Sequence, residues 1–74
     1  MSKFTERLTG LMAERNMAPV QLAKETGLAL KTIYTYLDGY GSGKVDNPRA
    51  SYLARLADAL DVSMDYLYGR SDER

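Results

Sequence analysis

Apolar residues recur along this chain at helical spacing, and no segment alternates apolar with polar residues over the length of a strand. Near the N-terminus they fall at i, i+4, i+7 and i+8, which is one face of a helix. The pattern predicts a first helix from about Ser2, a suitable N-cap, to about Asn16. The core stripe expected for it is Phe4, Leu8, Leu11, Met12 and Arg15.

Proline and glycine divide the next segment into two short helices. Pro19 suits the first turn of a helix over about 18–26, and Gly27 follows where a left-handed residue commonly ends a helix. A third helix is predicted over about 30–38 and closed by Gly39. The residues expected to pack are Val20, Leu22 and Ala23 from the second helix and Ile33, Tyr36 and Leu37 from the third.

A loop containing two glycines, over 40–47, precedes the fourth helix. Asn47 followed by Pro48 fits an N-cap and a first helical position, so this helix is expected to start there. Its apolar stripe is Leu53, Leu56, Ala57 and Leu60.

A short fifth helix is capped by Ser63, with Val62 stapled to Leu67 across the cap. Gly69 ends it, and the polar residues 70–74 are expected to fray. Three tyrosines near apolar stripes, at positions 36, 52 and 66, are interpreted as core or core-rim residues. The cluster formed by Met64, Tyr66, Leu67 and Tyr68 either seals the core or contacts a second copy of the chain.

Two short helices joined by a tight glycine turn form a helix-turn-helix unit, here over 19–36. Such a unit needs a positive φ in the turn, which Gly27 allows, and a small residue where the helices cross, which Ala23 supplies. The side chains expected to share its core are Leu22, Leu28, Ile33 and Tyr36. The sequence therefore predicts an all-α, compact five-helix bundle, with one domain over 1–69 and a polar tail over 70–74.

The amino-acid composition excludes several kinds of chemical site. The 74 residues include no cysteine and no histidine, which removes disulfides, thiolate metal sites, and the commonest general base and zinc ligand. There is no apolar run long enough to span a membrane and no signal-like N-terminus, so we expect a cytoplasmic protein. We expect no enzyme, cofactor, metal or small-molecule ligand, because so small a helical bundle offers little room for a pocket.

Charge is balanced overall but not along the chain. Ten basic residues meet ten acidic ones. Residues 1–55 hold eight bases and five acids, whereas residues 56–74 hold two bases and five acids. The split predicts a basic face and an acidic end, and ordinary surface charge is an equally good interpretation.

The sequence resembles the phage-repressor and Cro-type helix-turn-helix proteins over residues 4–69. The segments that carry the resemblance are LxxLMAERNM at 8–17, LAKETGL at 22–28, TIYTYLDG at 32–39 and NPRASYLARLADALDVSMDYLYG at 47–69. The resemblance implies a lambda-repressor-like fold and sequence-specific binding of double-stranded DNA, usually by a homodimer on a two-fold symmetric operator in transcriptional control. It also implies a bacterial or phage-encoded protein associated with the nucleoid.

By position, the resemblance makes the third helix the recognition helix, with its N-terminal end in the major groove. The implied base contacts are Leu30, Lys31, Thr32, Tyr34 and Thr35. Lysine can donate to guanine, threonine can bond or touch a thymine methyl group, and leucine offers apolar contact alone. The implied phosphate contacts are Gln21, Lys44, Asn47 and Arg49. A merely solvated helix face is the alternative interpretation of the same pattern.

Three departures from the family pattern bear on function. Pro19 stands where a glutamine is common, and Gln21 is not at that slot, which puts one phosphate contact in doubt. The loop over 40–47 is longer than usual. Met12 and Leu37 occupy slots that often hold an arginine–glutamate pair, and we expect them to touch as an apolar replacement. The alternative function is a protein-interaction or antitoxin-type helix-turn-helix module with weak or no DNA binding.

Overall fold

The computed structural model describes residues 3–38 and 49–74 of the chain. Every regular element in these ranges is a helix, and together they confirm the predicted all-α class. The helices are α1 (Lys3–Glu14), α2 (Pro19–Thr26), α3 (Leu30–Asp38), α4 (Ala50–Leu60) and α5 (Met64–Tyr68). The expected cap at Ser2, the closing Gly39, the glycine loop, Asn47 and Pro48 lie outside the described residues.

One apolar core joins all five helices. Its buried members are Phe4, Leu8, Leu11, Met12, Leu22, Leu28, Ile33, Tyr36, Leu53, Leu56, Ala57, Leu60 and Leu67. The predicted stripes of the first and fourth helices are therefore confirmed for every apolar member, and Leu67 of the fifth helix is fully buried, whereas Met64 is exposed. Tyr52, Tyr66 and Tyr68 are partly buried and pack against this core, as does Leu37.

Two residues expected in the core are exposed instead. Arg15 lies just beyond α1, which ends at Glu14 because Asn16 takes a left-handed φ of 55°. Asparagine tolerates that conformation better than most residues. Val20 is 48% exposed in the first turn of α2, where Leu22 supplies the contact with the core. Both expectations were wrong: Arg15 lies past the end of α1, and Leu22 rather than Val20 makes the core contact of α2.

The start of the fourth helix also differs from the prediction. α4 begins at Ala50, and Arg49 is its N-cap, with an extended ψ of 141° and no hydrogen bond from its side chain to the helix. The first turn closes when the Leu53 N–H donates to the Arg49 carbonyl at 2.8 Å. A helix cannot run through a residue with that ψ, so the described helix starts later along the chain than the sequence predicted.

The fifth helix has the predicted cap. Ser63 Oγ accepts the N–H of Tyr66 at 3.0 Å, and Gly69 ends the helix with a φ of 98°. This glycine is required twice over, because a Cβ there would also lie 2.6 Å from the Cβ of Lys3 at the start of α1. Leu67 is buried in the core and Val62 packs against it, while their direct contact across the cap stays a prediction.

The C-terminal tail, residues 70–74, is packed against the bundle rather than frayed. The Arg74 carbonyl accepts the N–H of Ser63 at 2.9 Å. Arg7 of α1 donates to the carbonyls of Tyr66 and Ser71 and to the Asp72 carboxylate. The polar tail is held in place because its residues meet partners on α1, on α5 and at the Ser63 cap of α5.

Candidate nucleic-acid interface

α2 is held to the core by one fully buried side chain, Leu22, with Ala23 packed beside it. The helix begins after Ala18, which is extended and offers no side-chain cap, and Pro19 occupies the first helical position. Proline fits there because the first N–H of a helix has no partner within the helix. The exposed side chains of this helix include Val20, Gln21 and Lys24.

The turn between α2 and α3 is fixed by three residues in a row. Gly27 adopts a φ of 75°, and its N–H donates to the Ala23 carbonyl at 2.9 Å. The buried Thr26 hydroxyl donates to the Leu22 carbonyl at 2.8 Å and accepts the Leu28 N–H at 3.2 Å. The angle between the two helices is therefore set by local hydrogen bonds as well as by packing.

Two residues that hold this turn, one in it and one on α4, were missed by the sequence interpretation. Thr26 was treated only as the end of a helix, although threonine in a last turn commonly bonds a carbonyl one turn back, which is a readable signal. Arg55 of α4 places Nη1 3.5 Å from the Thr26 carbonyl. Its positive charge is stabilised there by the negative, C-terminal end of the α2 dipole. No local pattern indicates Arg55, because it comes from a distant helix.

α3 is anchored on one side by Ile33 and Tyr36, both buried. The rings of Tyr36 and Phe4 meet edge to face, with centroids 5.3 Å apart and planes at 81°. The Thr5 hydroxyl donates to the Tyr36 carbonyl at 3.1 Å. Thr5 was also missed, although it lies on the same face of α1 as Leu8 and Met12. These contacts fix the rotation of α3 about its axis.

The fixed rotation turns the predicted base-contacting residues away from the core. Lys31 is exposed, Tyr34 is 53% exposed and Leu30 is 37% exposed, while Thr32 and Thr35 are half-buried at the edges of the same face. The structure thus brings Lys31, Tyr34 and Thr35 onto one outward surface, whereas Leu30 and Thr32 lie one turn before the buried Ile33 and Tyr36, at the edges of that surface.

The predicted phosphate-contacting residues are more scattered. Gln21 is exposed on α2, and its side-chain amide donates to the Glu25 carboxylate one turn later at 3.1 Å. Arg49 is exposed at the start of α4, with its guanidinium 5.7 Å from the centroid of the Tyr52 ring. Lys44 and Asn47 lie outside the described residues.

Arg7 and Arg74 lie in a cluster formed with the C-terminal tail, and both guanidinium groups are paired within that cluster. Arg7 lies over the Tyr66 ring at 4.1 Å, and Arg74 lies over the same ring at 5.4 Å and pairs with Glu14. Lys24 and Lys31 are the exposed cations of α2 and α3. The exposed surface of the helix-turn-helix unit is therefore only weakly basic.

Within residues 3–38 and 49–74, no group of three or more His, Cys, Asp or Glu side chains could hold a metal ion. None of the helices described in those ranges is long and apolar enough to cross a membrane.

Two comparisons with known proteins agree with this geometry. Residues 7–73 match the family model described as the Cro/C1-type HTH DNA-binding domain. Over 68 residues the chain is 35% identical to the cryptic phage CTXphi transcriptional repressor RstR of Vibrio cholerae serotype O1. The match covers 92% of this chain and 56% of that protein, so the chain spans little more than half the length of this relative.

Proposed function

Because the chain belongs to the Cro/C1-type helix-turn-helix DNA-binding domains, a family of transcription regulators, we propose that it binds a specific DNA operator and represses transcription there. The observation that carries the proposal is the fixed rotation of α3. Ile33 and Tyr36 are buried, and this leaves Lys31 and Tyr34 exposed on the opposite side, with the partly exposed Leu30 in the first turn of the helix. Repression, rather than activation, is suggested by the named function of the relative in Vibrio cholerae.

In the proposed complex the N-terminal end of α3 enters the major groove. Lys31 donates to guanine O6 and N7, and the hydroxyls of Thr32 and Thr35 donate to or accept from base edges. Tyr34 lies nearer the groove wall, where its hydroxyl reaches a phosphate. Leu30, in the first turn, makes apolar contact alone.

Contacts with the phosphates position the domain without reading sequence. Arg49 is exposed at the start of α4 and is free to turn toward a phosphate from its place beside Tyr52. Gln21 joins only if its amide leaves the Glu25 carboxylate, so its contribution is smaller. Lys44 and Asn47 complete the proposed set.

The proposed active form is a homodimer on a two-fold symmetric operator. A dimer of this motif places its recognition helices in successive major grooves, so the half-sites should be about 10 bp apart. The proposal places the protein in the cytoplasm of a bacterium, with the nucleoid, because its operator lies there.

Selection of bound sequences from a random DNA pool tests the proposal. We expect enrichment of a two-fold symmetric site, with binding that weakens steeply as salt rises through counterion release. Lys31→Ala should relax preference at one position of each half-site, at a cost of about 1–3 kcal/mol. Lys24→Ala, which removes an equally exposed lysine from α2, is the control and should leave the selected consensus unchanged.

Failure to enrich any DNA would overturn the proposal. Binding that ignores salt would point instead to the protein-interaction module. An unchanged consensus for Lys31→Ala would show that the outward face of α3 is only solvated.

A further inference from the structure

Large apolar side chains are exposed at four places in the part of the chain that the structure describes: Val20, Leu30, Tyr34 and Met64. Three of the four belong to the helix-turn-helix unit, and two of these lie on α3. Two of the exposed apolar side chains therefore lie on the helix that the proposal places in the DNA groove.

The rest of the outward face of α3 is poor in groups that read bases by paired hydrogen bonds. The helix reads LKTIYTYLD and contains no arginine, asparagine or glutamine, the residues that make bidentate contacts with guanine or adenine. Lys31 is its one cation. Its threonines offer a methyl group beside each hydroxyl.

The major groove presents one apolar group, the 5-methyl of thymine, and 5-methylcytosine carries the same group at the same ring position. An apolar side chain at the first turn of a recognition helix has no other favourable base contact. Leu30 occupies that turn, and it is 37% exposed, so part of the side chain is held by the protein and part is available.

We infer that α3 also reads its operator through the 5-methyl groups of pyrimidines, with Leu30 as the residue that contacts them. This inference rests on the proposed function and adds the chemical class of base that is read. It predicts half-sites that carry a thymine, or a methylated cytosine, opposite the N-terminal end of α3.

Replacing thymine by deoxyuridine in the selected operator isolates the methyl group, because the two bases have identical hydrogen-bonding edges. One buried group of this size contributes about 0.8 kcal/mol, which is about a fourfold change in affinity. We expect the unaltered protein to bind about fourfold more weakly for each contacted thymine that is replaced. Leu30→Ala should bind both operators equally, whereas Lys31→Ala, which leaves the leucine in place, should keep the difference.

Methylation of the cytosines in the operator separates the two sources of the methyl group. A gain in affinity that disappears in Leu30→Ala would show that methylated cytosine is also read, and no gain would assign the contact to thymine. Equal binding of the thymine and uracil operators by the unaltered protein would overturn the inference while leaving DNA binding intact. Failure to select any operator would instead overturn the proposed function. If Leu30→Ala does not fold, Leu30→Gln gives the same test, and the uracil measurement on the unaltered protein decides by itself.

Discussion

The guanidinium of Arg7 is expected to be the largest single polar contribution to the stability of this domain. It is 16% exposed and lies 4.1 Å from the centroid of the Tyr66 ring. One nitrogen donates to the Tyr66 carbonyl at 2.8 Å and also to the Ser71 carbonyl, and the other donates to Asp72. Arg7→Met keeps the apolar stem and removes every one of these contacts.

The cost of Arg7→Met follows from the exposure of its partners. A hydrogen bond from a charged donor contributes about 1.5–3 kcal/mol. The Asp72 carboxylate is 92% exposed, so that ion pair adds little. Water can reach some of the freed carbonyls, and we therefore expect a total loss of about 3 kcal/mol. In a domain of this size such a loss lowers Tm by roughly 12–24 °C.

Urea and thermal unfolding, followed by circular dichroism, measure this loss. Thr9→Ala, an exposed position on the same helix, is the matched control and should change stability by less than about 0.5 kcal/mol. Asp72→Asn isolates the exposed ion pair and should also have a small effect. Amide exchange at Ser63, whose N–H donates to the Arg74 carbonyl, should quicken in Arg7→Met because the tail is released. A loss below about 1 kcal/mol with unchanged exchange would refute the docked tail.

Three further predictions concern the packing of the ends and of α1. Glu14→Gln should flatten the fall in Tm between pH 7 and pH 3. The hydrogen bond from Arg74 lowers the pKa of Glu14. The ionised Glu14 therefore stabilises the fold above the ordinary carboxyl pKa, and this contribution is lost on acidification. Gly69→Ala should destabilise the domain by more than about 2 kcal/mol in urea melts, from its positive φ and the close approach of α1. Its control, Gly10→Ala, meets no neighbour within 4 Å and should stabilise α1 by about 0.5–1 kcal/mol; equal effects at the two glycines would contradict the packing. Leu37→Glu should cost near the lower end of about 3–5 kcal/mol, since Leu37 is only partly buried, and adding Met12→Arg should recover part of it. Additive losses in that double-mutant cycle would show that the two side chains do not meet.

Local chemistry made most of the helix-turn-helix unit predictable from sequence. Pro19 and Gly27 mark the two ends of α2, and the observed bounds of α3 are those predicted. The outward face of α3 followed as well, because the apolar positions at 33 and 36 fix which side of a helix faces the core. The predicted family and fold are confirmed, while the predicted Met12–Leu37 contact and the roles of the base-contacting and phosphate-contacting residues stay predictions.

Tertiary structure decided what depends on partners distant in sequence. Val20 fits the apolar pattern of its helix yet is exposed, because burial depends on which neighbours arrive and Leu22 already fills the contact. The polar tail is ordered because Arg7, more than 60 positions away from Ser71 and Asp72, donates to both. Arg55 reaches the end of α2 from α4 in the same way. Periodicity and capping are properties of a few consecutive residues and can be read in sequence, whereas these pairings exist only once the helices have packed.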